Sequence, residues 1–224
     1  MNVFYLQNAS HTGPGNILDW GAARGHQIKG TLLFAGEKLP AMYPELLIIL
    51  GGVPAECSEW LTQEILYIRE AINAGSRVLG LCLGSQLIVE ALGGSLVPHV
   101  HSECGWWEVK LNEKGLAHPA LAGLNNAEFF FFHRNTVMLP DNMILLGENP
   151  GCRHQIFAFG DKVIGIQGHP EMRAETIEYL VREKKDYVEK GSFVNITDKC
   201  HLEEVKLVKA QEFVWGVMDN LLKF

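Results

Sequence analysis

Between Glu45 and Gly94 the chain runs twice through the same texture. A short apolar run ending in glycine, "ELLIILGG", leads into "EWLTQEILYIREAINAG", where Trp60, Leu61, Ile65, Ile68 and Ile72 recur at three- and four-residue steps before Gly75. A second apolar run, "SRVLGLC", leads into "SQLIVEALGG". Continuous apolar runs this short read as strands covered on both faces, and the amphipathic stretches between them as helices. Alternation of this kind argues for a mostly parallel sheet wrapped by helices. The N-terminal segment extends the pattern. "NVFYLQ" (Asn2–Gln7) reads as a first buried strand, "GNILDWGAARGH" as a helix stopped by Gly25, and "HQIKGTLLF" as a second strand.

From about Val97 to Gln167 the texture changes. "WWEVKLN", "AEFFFFH", "NMILLGE", "HQIFAFG" and "KVIGIQG" read as short strands separated by turn residues, an added antiparallel region. "RAETIEYLVREKKDYVEKG" returns to helix, "GSFVNITDK" reads as an exposed loop, and the tail from His201 is again helical. The expected organisation is one α/β domain over residues 1–190, with a loop and helix over 191–224. That final helix either packs on the same sheet or forms the face of a homodimer.

Composition narrows the function classes. A net charge of -7 and the absence of a basic run argue against binding a nucleic-acid backbone, which needs clustered Lys and Arg. No basic-then-apolar leader opens the chain, and no apolar run is long enough for a bilayer, so a cytoplasmic protein with no membrane contact is expected. Five cysteines, widely spaced and without a CxxC pair, are expected to be reduced thiols in that compartment. His99 and His101 lie near Cys104, but their spacing fits no zinc pattern, and neither a metal nor a cofactor is expected.

The chemistry concentrates on "GLCLG", Gly80–Gly84. A strand, then Gly-x-Cys-x-Gly, then a helix is the pattern of a nucleophile elbow. The bend lifts one side chain clear of the sheet and tolerates only small residues two before and two after it. The helix N-terminus favours a thiolate at Cys82, and the N–H of Leu83 points to where an oxyanion would form. A buried cysteine in an ordinary glycine turn fits the same spacing. His169, just past the apolar strand Val163–Gln167, is the candidate base. Glu171, two residues on, is placed to orient its imidazole, and Pro170 suits a helix start. Gly52, after the central strand, is the candidate second oxyanion donor. The order nucleophile, base, acid differs from that of the α/β-hydrolases.

Three stretches together, "ILGGVPA" (Ile49–Ala55), "GLCLGSQL" (Gly80–Leu87) and "GIQGHPE" (Gly165–Glu171), resemble the motifs of the class I glutamine amidotransferases of the triad type. The resemblance is to stand-alone proteins similar to the amidotransferase domain of GMP synthase. It covers roughly Asn2 to Leu180, with secondary matches at "ECGWWEV", "FFHRNTVMLP" and "CRHQIFAFG". It implies a flavodoxin-like fold and attack by Cys82 on the side-chain amide of glutamine or a γ-glutamyl group. His169 then acts as acid and base and Glu171 as orienter, with Gly52 and Leu83 as oxyanion donors. By the same match Gln86 helps to hold the α-amino and carboxylate end of the substrate. The segment of His133, Arg134 and Asn135 resembles a loop whose backbone grips it.

Arg134 and Asn135 depart from the usual glycine and acid of such proteins, and Cys104 replaces an aliphatic residue and is expected to pack. No GxxxxGK[ST] loop and no Ser-Gly-Gly-x-Asp-Ser loop is present, so an ATP-driven amination needs a separate synthase partner. The alternatives are a free-standing γ-glutamyl peptidase using the same triad, or a regulatory protein that keeps the fold without the chemistry.

Overall fold

The computed structural model describes residues 2–54, 59–188, 190–197 and 199–224. Cys57, expected above to be a reduced thiol, and Ala55, the last residue of "ILGGVPA", lie outside the described residues. Among the described residues are nine strands and six α-helices. They run β1 (Asn2–Gln7), α1 (Ile17–Arg24), β2 (Gln27–Leu32), β3 (Leu46–Ile49), α2 (Leu61–Asn73), β4 (Arg77–Leu81) and α3 (Leu83–Ala91). Then come β5 (Ser95–Leu111), α4 (Glu113–Ala117), β6 (Ala127–Met138), β7 (Ile144–Glu148), β8 (Ile156–Phe159), β9 (Val163–Ile166), α5 (Ala174–Glu183) and α6 (Glu204–Leu221).

The strands form one sheet in the order β2-β1-β3-β4-β9-β8-β7-β5-β6. The first five are mutually parallel, as the apolar runs predict, and β8, β7, β5 and β6 continue the same sheet in antiparallel pairing. β3, "LLII", is buried at every position because helices cover both faces of the parallel half. On one face Ile68 and Ala71 of α2 and Leu87 and Ile88 of α3 pack in one core with Leu47, Ile49 and Val78. On the other, α6 brings Phe213, Val214, Val217, Met218 and Leu221 into the core of Phe129, Phe130 and Phe131. Each such side chain contributes roughly 2 kcal/mol by leaving water. The tail helix therefore covers the sheet. The Phe213 and Phe129 rings meet edge to face at 5.0 Å, and Arg77 Nε donates to the carbonyl of Leu221.

Two local readings change and one is refined. β5 begins at Ser95, well before the aromatic run. Its early part pairs with Asn135–Met138, then breaks register between Pro98 and Glu103. Nothing in "SLVPHVHSE" alternates, so only the partner strand makes it a strand. The segment at 191–197 is the expected loop, with no buried residue, but it is tied to β5: the N–H of Cys104 donates to the carbonyl of Phe193, and that of Asn195 donates to the carbonyl of Cys104. Pro170 does not open a helix. His169 instead bridges to Phe130 of β6, and α5 starts at Ala174. Cys104 is fully buried, and the four described cysteines are all free thiols. No helix among the described residues is long and apolar enough to cross a membrane.

A buried acid lies below the strand ends. Glu64, in the first turn of α2, is fully buried, and its Oε1 accepts from Asn8 Nδ2 at 2.9 Å. Asn8 Oδ1 accepts from Trp60 Nε1 at 2.7 Å. Burial, only partly offset by the Asn8 bond, pushes the Glu64 carboxyl from 4.5 up to about 7. The folded state thus holds that proton more tightly than the unfolded chain. This stabilisation is complete below the unfolded value and is lost as pH rises through the folded one. Glu64→Gln is accordingly expected to stabilise the protein at pH 8 by up to about 3 kcal/mol and to change little at pH 4.5. Denaturant unfolding at the two pH values checks this, and an equal effect at both would refute it.

Candidate active site

The register of the parallel strands puts the candidate residues side by side. Ile49 faces Gly80, Gly80 faces Gly165, and Leu81 faces Ile166. The residues just past these ends are therefore neighbours, at the carboxyl edge where open α/β sheets carry their sites. The N–H of Cys82 donates to the carbonyl of Ile166 at 2.9 Å, which ties the elbow to β9.

Cys82 has φ 52 and ψ -112 and is the one non-glycine residue at positive φ among the described residues. Such a backbone costs on the order of 1–3 kcal/mol and persists only where its surroundings impose it. Here the two flanking glycines impose it. A Cβ on Gly84 would stand 2.1 Å from the carbonyl oxygen of Ile49, and one on Gly80 would stand 2.5 Å from that of Gly84. The first turn of α3 is pressed against β3 and β4 so closely that no side chain fits between them. Cys82 is left at the helix N-terminus, where unpaired N–H groups favour an anion.

His169 is fixed from behind. Its N–H donates to the carbonyl of Phe130 at 2.9 Å, and its Nδ1 and Glu171 Oε1 are 2.8 Å apart, both side chains being buried. The loop after β1 clamps the turn: Asn16 donates its backbone N–H to the carbonyl of Glu171 and its Nδ2 to the carbonyl of Pro170, each at 2.9 Å. Burial alone would drive the His169 imidazole towards its neutral form. The anionic Cys82 sulfur and the Glu171 carboxylate, both hydrogen-bonded to the ring, outweigh burial and raise it from 6.5 to about 10. The His169 ring is thus held in its charged form between Cys82 and Glu171. Gly51 lies beneath both: a Cβ there would be 3.0 Å from His169 Cε1 and 3.5 Å from the Cys82 Cβ.

Cys82, His169 and Gly52 line a cavity of about 230 Å³. Its other walls include Thr12 from the loop after β1, Phe132 of β6, and Met172, Leu180, Glu183 and Tyr187 from the segment that follows Glu171. A pocket this small suits an amino-acid-sized group better than a drug-sized one.

The remaining candidates fall outside this cavity. His133 is buried, with Nε2 2.9 Å from Glu103 Oε2 and Nδ1 2.8 Å from the carbonyl oxygen of Asn135. Burial opposes the charge of Glu103, but bonds from His133, Asn149 Nδ2 and Gln155 Nε2 outweigh it and hold the carboxyl below its usual range. His133 thus belongs to an interior network, and neither it nor Asn135 lines the cavity. Arg134 is exposed and sits over the Tyr187 ring at 5.4 Å, at the outer side of the cavity wall. Gln86 is buried behind Cys82, its Nε2 donating to Gln167 Oε1 at 2.9 Å. The sequence reading had no role for Gly51, Thr12, Phe132 or Gln167. Gly51 and Gln167 stand inside motifs quoted above. Phe132 also stands inside one, "FFHRNTVMLP", whereas Thr12 carries no local signal and enters only through the fold.

The profile of the family glutamine amidotransferase class-I matches residues 16–184. The glutamine amidotransferase-like protein YfeJ of Salmonella typhimurium is 33% identical, over 99% of this chain and 97% of that protein. GMP synthase (glutamine-hydrolyzing) of Neisseria meningitidis is 30% identical over 61% of this chain, and the match spans about a quarter (26%) of that protein's length. Two crystal structures share the fold. A glutamine amidotransferase of Thermotoga maritima superposes with a TM-score of 0.84 at 23% identity, covering 99% of this chain and 98% of that one. One of Methylobacillus flagellatus does so at 0.83 and 22%, covering 99% and 94%.

If the sulfur holds the imidazole in its charged form, removing the sulfur must release it. In Cys82→Ala the burial effect gains on Glu171, and His169 is expected to titrate at lower pH than in the parent protein. The Cε1–H resonance followed by NMR from pH 5 to 11 reads this directly. An unchanged or higher midpoint in the variant would contradict the pairing.

Proposed function

The chain belongs to the class I glutamine amidotransferase family, and within it we propose that it hydrolyses the side-chain amide of glutamine through a Cys82 thioester. The observation that carries this reading is the strained Cys82 backbone at φ 52 beside an imidazole held by a carboxylate at 2.8 Å. A structural cysteine has no need of either. In this mechanism the Cys82 thiolate attacks the amide carbon, and the new S–C bond moves the carbonyl electrons to oxygen. The backbone N–H groups of Gly52 and Leu83 receive the oxyanion. The intermediate collapses as the C–N bond breaks, and His169 gives its proton to the departing ammonia. Water then attacks the thioester while His169 takes its proton, and glutamate leaves as the Cys82 thiolate is restored. Glu171 holds the imidazole with Nδ1–H towards itself, so Nε2 is the atom that exchanges the proton.

Gln86 and the backbone of His133, Arg134 and Asn135 are assigned to the amino-acid end of the substrate by resemblance alone. A separate synthase is the proposed acceptor of the ammonia. A cytoplasmic location is part of the same proposal.

Incubation with glutamine is expected to release glutamate and ammonia, and Cys82→Ala or His169→Ala to lower kcat by about a thousandfold or more. Turnover unchanged in Cys82→Ala would sink the mechanism. Turnover of γ-glutamyl peptides in place of glutamine would replace the substrate but keep the triad. Gly51→Ala tests the geometry separately. Its Cβ pushes on the imidazole by a few tenths of an ångström, so kcat is expected to fall about tenfold with little change in KM. A variant with parental kcat would show that the close approach at Gly51 does not matter.

A further inference from the structure

One buried amide touches the nucleophile and has no part in the mechanism above. Gln167 is completely buried one residue past β9. Its backbone N–H donates to the carbonyl of Gln155 at 2.8 Å, which fixes where the side chain starts. Its Nε2 lies 3.8 Å from the Cys82 sulfur, within donor distance for so large an acceptor. Its Oε1 accepts from Gln86 Nε2 at 2.9 Å. Gln86 is itself held close, because it is one turn along α3 from Cys82 and its backbone N–H donates to the Cys82 carbonyl.

We propose that Gln167 is a positioning residue whose side-chain amide donates to the Cys82 thiolate, and that Gln86 sets the direction of that donation. An amide has two ends of similar shape. A terminal oxygen turned towards the sulfur would set two acceptors against each other and repel a thiolate. Gln86 removes that alternative, since its N–H claims the oxygen of Gln167 and leaves the nitrogen for the sulfur. Both amides are shut away from water, so each unmade bond is costly and the order of the pair is enforced. The pair thereby favours the thiolate twice in each cycle, before attack and again when sulfur leaves the thioester. Gln86 acts on the sulfur only through Gln167. This inference rests on Cys82 reacting as a thiolate, and it holds for either substrate considered above.

The test reads the thiol directly and needs no substrate. The rate at which iodoacetamide alkylates Cys82, resolved from the other cysteines by peptide mass spectrometry, is measured against pH. Gln167→Met keeps the length and removes the donor. It is expected to move the midpoint of the profile to higher pH by about one unit, lowering the rate about tenfold on the low-pH side. Gln86→Leu is expected to move it the same way, and by less. The double variant is expected to match Gln167→Met alone, because the Gln86 effect passes through Gln167. A parental midpoint in Gln167→Met, with folding verified by its thermal transition, overturns the proposal. So does a double variant whose shift is the sum of the two. If Gln167→Met does not fold, Gln86→Leu decides alone: a midpoint at or below the parental one overturns the proposal. Failure of the parental protein to hydrolyse glutamine would count against the function proposed above and leave this measurement intact.

Discussion

The site depends on how closely the first turn of α3 approaches β3. Gly84 lies against the carbonyl of Ile49, and Gly80 lies against the carbonyl of Gly84, at distances that exclude even a methyl group. That contact leaves the residue between them no ordinary backbone conformation, so Cys82 adopts φ 52. The strain is small beside the apolar burial around it. Two core faces hold the helix and the strands in place, and a cost on the order of 1–3 kcal/mol does not dislodge them. The place of this buried residue on the cavity wall and its nearness to His169 both follow from that one compression.

A second set of contacts holds His169, the proposed base. Its backbone hangs from β6, and Asn16, in the loop after β1, holds the Pro170 and Glu171 carbonyls. The imidazole therefore has little freedom before substrate arrives. Buried groups of opposite charge keep it cationic where burial alone would neutralise it. A buried histidine also lies beside a glutamate at His133 and Glu103, where two further amides donate to the carboxylate. Histidine beside glutamate inside this protein is thus not in itself a sign of catalysis. The difference is the cavity, which His169 reaches and His133 does not.

Much of this was legible beforehand. The apolar runs at Asn2–Gln7, Glu45–Leu50, Ser76–Cys82 and Val163–Gln167 became β1, β3, β4 and β9, because burial on both faces leaves an unbroken apolar signal. The elbow and the His-Pro-Glu turn were legible for a different reason. Close packing demands glycine at fixed offsets, and proton transfer admits few residue types. The contacts that were not legible have neither mark. "SLVPHVHSE" is a strand only because β6 lies beside it, and the segment at 191–197 is held by backbone groups of β5 that any sequence would offer.

By itself the sequence determined the parallel half of the sheet, the elbow at Cys82, and the His-Pro-Glu turn proposed to supply the base and the acid. These are local properties, written as periodicity, as glycine spacing and as residue type within a few positions. Only the tertiary structure decided which polar residues meet. It turned His133 inward to Glu103, set Gln86 against Gln167, and brought Phe132 of β6 and Tyr187 from beyond α5 to wall the cavity. The His133–Glu103 and Gln86–Gln167 pairings join residues 30 and 81 positions apart, and sheet order and helix packing set them; no pattern along the chain encodes such a meeting.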